Sequence, residues 1–249
     1  MFLSELLPQE KVDKFILVDK AWAMCNTKEL KPHHMNWDHI YGTIPEAATN
    51  EQETYFTTWP IPLHTSKQDL KQSVNPRQMK KYIFDRTEGP IVILAIHLCG
   101  TLSLKAVDLF NNHENVKFFA LKPCCLPGMV HAARDDIFKI GQHEFDSKEV
   151  CSNGKFNKKD WSGPPRWHLE PKFNVWANHL FQGIDVGQMN LVSEDEDKIV
   201  YAAEDGRKEK RQITIQVQGG YQNTYMLAQR SPLTSQLWEQ EKISGDVQA

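Results

Sequence analysis

The sequence predicts an α/β fold in which a mostly parallel open sheet finishes in an antiparallel hairpin. Three observations predict it. The runs Lys14–Asp19, Ile91–Ile96 and Val116–Leu121 are almost unbroken stretches of apolar residues, the pattern of strands buried on both faces. Helical patterns lie between or beside them, so strand and helix alternate, which is the order that builds parallel sheets. Near the end, Gln212–Val217 alternates polar and apolar residues, Gly219-Gly220 makes a turn, and Asn223–Ala228 reads as the returning strand.

Each element has a local reason. Phe2, Leu3, Leu6 and Leu7 recur at helical spacing until Pro8 ends the pattern, so a short helix opens the chain. The strand to Asp19 follows. Trp59–His64 is a poor strand because Pro60 and Pro62 interrupt it. Pro76–Phe84 is predicted helical: Pro76 suits a first turn, and Met79, Tyr82 and Ile83 share a face. Gly89-Pro90 ends it before the strong β-branched strand Ile91–Ile96. Leu102, Leu104, Ala106, Val107, Leu109 and Phe110 define the next helix, and Val116–Leu121 the next strand. Phe173–Val186 is predicted helical, with Trp176, Leu180 and Phe181 near one stripe. Glu194–Asp197 reads as an acidic turn and Arg207–Arg211 as a basic one. Residues 26–56 and 141–171 read as loop-like insertions in one domain spanning 1–230, and 231–249 as a polar tail.

Composition sets the outer bounds. The chain has 249 residues with 29 basic and 32 acidic side chains, a formal charge of −3, so no global cationic field draws in nucleic acid. A hydrophobic share of 40% with 24% charged residues fits a globular protein and not a disordered one. No apolar run is long enough to span a bilayer and the N-terminus lacks the features of a signal peptide, so no membrane association is expected. Five cysteines, two of them adjacent, do not form a secreted disulfide framework. An intracellular location, cytoplasmic or nuclear, is therefore expected. Oligomeric state is not legible.

In open α/β sheets ligands gather at the carboxyl ends of the strands. Every strand here empties into a polar or reactive group: Asp19, Asp69, His97-Leu98-Cys99-Gly100, and Lys122-Pro123-Cys124-Cys125. The last two segments, an H-x-C-G motif paired with P-C-C, resemble one branch of the class I S-adenosylmethionine-dependent methyltransferases. That branch includes eukaryotic tRNA 2′-O-methyltransferases of the acceptor stem. The resemblance spans about residues 1–230 outside the insertions. It implies a Rossmann-like sheet, S-adenosyl-L-methionine as cofactor, and RNA, tRNA included, as the preferred substrate class.

It also implies roles. Asp19 would accept the ribose hydroxyls of the cofactor and Asp69 its adenine amino group. His97, Leu98, Cys99 and Gly100 would bring backbone against the methionine part. Pro123, Cys124 and Cys125 would border the substrate, with Arg166 and Trp167 as an RNA-binding rim. His97 and Lys122 are the candidates for moving or orienting the acceptor's proton. In one respect the sequence departs from the family. No glycine precedes Gly42 and no G-x-G occurs anywhere, so the first strand and its glycine-rich loop are expected to be missing, through a shortened gene model or through real loss.

The same residues fit other readings. A domain without the glycine loop would serve as a binding module without catalysis. Asp19 and Asp69 are also ordinary strand-end and helix-start residues. Cys99, Cys124, Cys125 and His97 could ligate a metal, but no C-x-x-C occurs and adjacent residues of an extended strand face opposite ways unless Pro123 or Pro127 bends it, so no metal ligands are assigned. Thiol redox chemistry is weaker still, since a vicinal pair closes a disulfide only with strain. The basic segment Arg207–Arg211 lies close to an acidic one, which weakens any local field for RNA.

Overall fold

The computed structural model describes residues 3, 7–20, 29–30, 61–72, 74–152, 155–157, 160–162, 169–204, 206–213 and 223–230. The predicted opening helix lies mostly outside them, although Leu7 N–H donates to the Leu3 carbonyl at 3.0 Å in a helical turn. The chain divides into two compact units, Met1–Met79 and Lys80–Ala249.

The first unit is a small three-stranded sheet of β1 (Phe15–Asp19), β2 (Glu29–Leu30) and β3 (Leu63–Lys67). β1 and β3 run parallel with Asp19 opposite Lys67, and β2 pairs antiparallel on the other side of β3. Helix α1 (Val74–Tyr82) starts in this unit.

The second unit contains β4 (Ile91–Cys99), α2 (Leu102–Asn111), β5 (Val116–Cys125), the single turn α3 (Met129–Ala132), β6 (Ile137–Ile140), β7 (His143–Asp146) and the capped turn α4 (Ser147–Val150). After them come β8 (Lys155–Asn157), β9 (Asp160–Ser162), α5 (Glu170–Gly183), β10 (Asn190–Asp195), β11 (Lys198–Ala203), β12 (Gly206–Gln212) and β13 (Thr224–Arg230). Its main sheet has six strands in the order β10-β11-β12-β13-β5-β4. Only β4 and β5 are parallel, joined through α2; every other neighbouring pair is antiparallel.

This overturns the expected fold class. The sheet is mixed and mainly antiparallel, not a mostly parallel Rossmann-like one. Two readings of charge and loop caused the error. Arg207–Arg211 is not a turn but the body of β12, where alternate residues point to opposite faces. The strand that returns against β13 is this basic one, with Lys208 opposite Ala228 and Gln212 opposite Thr224. Residues 141–171 are not simply loop-like: Gly141, at φ +58, turns β6 into β7, and β8 pairs with β9.

The register shows which face of the sheet is covered. Ile93, Phe119, Ala228 and Lys208 lie on one face, in line across four strands. Phe119 stacks on Phe110 of α2 at 5.2 Å between ring centroids, and the Lys208 ammonium donates to the Phe181 and Ile184 carbonyls at the end of α5, at 3.1 and 2.9 Å. Both helices therefore pack on this face. Their buried residues, Val107 and Phe110 of α2 with Phe173, Trp176 and Leu180 of α5, form the core with Phe119 and Leu121. On the other face Val92, Leu94 and Ile96 of β4 are 40%, 42% and 47% exposed. The apolar run was read as buried on both faces because hydropathy does not register that β4 is the last strand of this sheet among the described residues.

Candidate thiol site at the parallel strand ends

β4 and β5 do not end regularly. Ile96 is opposite Lys122 and Leu98 is opposite Pro123, so His97 has no partner residue; it takes φ +59, in the left-handed region. The next aligned pair is Cys99 with Cys125, so Cys124 is the extra residue of β5 at this step of the register. Each strand thus carries one extra residue, a β-bulge, and bulges re-aim side chains. Pro123 suits such a break because it has no N–H to give the ladder.

The second bulge defeats the alternation argument that would send Cys124 and Cys125 to opposite faces. The Cys99 and Cys124 Sγ atoms are 3.2 Å apart, and the Cys124 and Cys125 Sγ atoms 3.6 Å apart. All three lie within 4.8 Å of one another. Cys124 is buried, while Cys99 and Cys125 are exposed, and none of the three is in a disulfide. Burial and the two neighbouring thiols push the Cys124 thiol well above the ordinary cysteine range. The signal that sequence reasoning lacked was the paired irregularity; spacing alone gives no C-x-x-C.

Gly100 closes the site. Its φ is +54 and its N–H donates to the Cys125 carbonyl at 3.2 Å. A Cβ there would sit 3.4 Å from the Leu126 carbonyl oxygen and the Pro127 Cα, so the close approach this glycine permits is to the exit of β5. Ser103 Oγ then donates to the Leu98 carbonyl at 3.1 Å and ties α2 to the end of β4. His97 is exposed. Lys122 projects on the face away from the helices, its ammonium 5.7 Å from the centre of the Tyr225 ring.

The remaining predicted residues fall elsewhere. Asp19 and Asp69 belong to the first unit. Asp19 ends β1 and is exposed, and its carbonyl accepts from Gln68 N–H at 2.8 Å. Asp69 Oδ1 accepts from Lys71 N–H at 3.0 Å, and its carbonyl accepts from Asn75 Nδ2 at 2.8 Å. Its carboxylate thus closes a local turn ahead of α1, five residues before the helix begins at Val74. Arg166 and Trp167 lie outside the described residues. The basic segment is engaged within the protein: Arg207 and Arg211 both pair with Glu209, at 2.9 and 3.3 Å, and Lys208 is spent on α5.

A second polar group went unnoticed in the sequence. His143 Nε2 and His179 Nδ1 are 2.9 Å apart, and His179 Nε2 is 3.2 Å from Glu149 Oε2. The His179 ring stacks on Phe145 at 3.9 Å. Burial first, then the charges of His179 and Lys208, lower the His143 pKa from its ordinary value.

No helix among the described residues is long and apolar enough to cross a membrane. No family model, curated protein or solved structure matches the chain.

Proposed function

We propose that this chain is a methyl-transfer domain that takes S-adenosyl-L-methionine as methyl donor, with RNA as the acceptor class. One observation supports the reading best. The two sequence segments that carry the resemblance, His97–Gly100 and Lys122–Cys125, end neighbouring parallel strands, with Leu98 opposite Pro123 and Cys99 opposite Cys125. RNA as acceptor rests on the resemblance alone, because the described cations of β12 are occupied internally.

The fit to the cofactor is partial. An exposed carboxylate at a strand end has the right chemistry for two ribose hydroxyls, and Asp19 is such a group. Asp69 fits the adenine role less well, since one of its carboxylate oxygens is already bonded. The sequence holds no G-x-G turn to cradle the methionine end. No chemical step is therefore assigned to individual side chains. The second reading is a domain that binds without turnover.

Isothermal titration with S-adenosylmethionine and S-adenosylhomocysteine tests the proposal, on the chain as it stands and with upstream residues added. Saturable binding by either form is expected. Asp19→Ala should then weaken it by about ten-fold, the loss of one charge-assisted hydrogen bond. Absence of binding in both forms rejects the cofactor. Binding without conversion to S-adenosylhomocysteine across a panel of RNAs selects the second reading.

A further inference from the structure

We propose that Cys99, Cys124 and Cys125 bind one zinc ion through their three sulfurs. This does not depend on the methyl-transfer reading.

The geometry carries it. A tetrahedral zinc with bonds of about 2.3 Å to sulfur needs ligand sulfurs about 3.8 Å apart. Two of the separations, 3.2 and 3.6 Å, fall just below that value, and all three atoms lie within 4.8 Å of one another. The ligands come from two strands held in register by main-chain pairing, so the site is built before any ion arrives. The two bulges exist at the only place where they bring three thiols together among the described residues.

Chemistry points the same way. Thiolates are soft ligands, which select zinc or copper(I) over magnesium or calcium. No other histidine, cysteine or carboxylate joins the group among the described residues. Binding is balanced by release of protons: each thiol that ligates gives its proton to solvent, and zinc takes the three thiolates with no change in oxidation state.

Elemental analysis of the purified full chain is the first test, with about one zinc per chain expected after dialysis against excess free zinc. Replacement by cobalt(II) should give thiolate-to-metal charge-transfer absorption. Metal should protect three of the five cysteines from alkylation, identified by mass spectrometry as residues 99, 124 and 125. Cys99→Ser and Cys125→Ser replace exposed residues, and each should weaken zinc binding at least ten-fold or so. Cys151→Ala should leave it intact, since Cys151 is buried apart from the cluster. Copper(I) as the only metal retained, a stable Cys99–Cys124 disulfide that still excludes zinc after reduction, or unchanged alkylation in the presence of metal would each overturn the assignment. The alkylation readout needs no variant, so it decides the matter even if a substituted chain fails to fold.

Discussion

Buried polar atoms without partners are rare in folded chains, and among the described residues Thr224 at the start of β13 is one. Its side chain is fully buried and its hydroxyl has no hydrogen bond to any described residue. Thr224→Val keeps the shape and removes the stranded group, so it should raise the unfolding free energy by about 1 kcal/mol in urea titration. An equal loss instead would mean that the hydroxyl has a partner. At the same scale the sequence was most informative about single residues with strong chemistry and least informative about their aim. Cys99, Cys124 and Cys125 were each visible as reactive strand-end residues. Their convergence was not, because it depends on a residue left over in each strand. Asp69 was visible too, but a carboxylate that binds a ligand and one that closes a turn have the same letter.

Elements show why charge misled the reading of 207–211. Lys208, Lys210 and Gln212 alternate with Arg207, Glu209 and Arg211, which is strand periodicity written in polar residues. The first set meets α5 along one stripe: Lys208 at the Phe181 carbonyl, Lys210 at Asn178 and Gln212 at Asn174. The second set forms a carboxylate clamp on the opposite face, with Glu209 between two arginines. Lys208 also places a cation at the carbonyl end of α5, where the helix dipole favours it. Burial lowers its pKa, with Asp185 acting the other way. Lys208→Met should cost about 1–3 kcal/mol in chemical denaturation, because two carbonyls lose their donor. Lys208→Arg should recover part of that loss. Hydropathy found β4, α2, β5 and α5 because each buries an apolar stripe. It missed β12 because polar partners, not apolar burial, hold this strand to its helix.

At the level of the whole molecule, pH should report on two histidines. Burial, followed by Lys80, lowers the pKa of His113, while Asp85 opposes; burial and His179 lower that of His143. A group with a depressed folded pKa binds protons more readily in the unfolded chain. Its contribution is therefore complete above the unfolded value of 6.5 and is lost as the pH falls through the folded value. Stability should therefore start to fall as the pH drops through about 6.5 and keep falling until the pH has passed the folded values. The double variant His113→Gln, His143→Gln should show a flatter profile, and an unchanged slope would place the titrating groups elsewhere.

The irregular ends of β4 and β5 have one more consequence for the molecule. Ile91–Ile96 is apolar at every position, so hydrophobic alternation cannot distinguish one alignment with β5 from its neighbour. A slip of a single residue would carry Cys99 to the far side of the sheet and scatter the sulfurs. The cluster therefore works as a vernier: its closure is possible in one alignment only. The distance between three sulfur atoms then measures whether two otherwise featureless strands have found each other correctly.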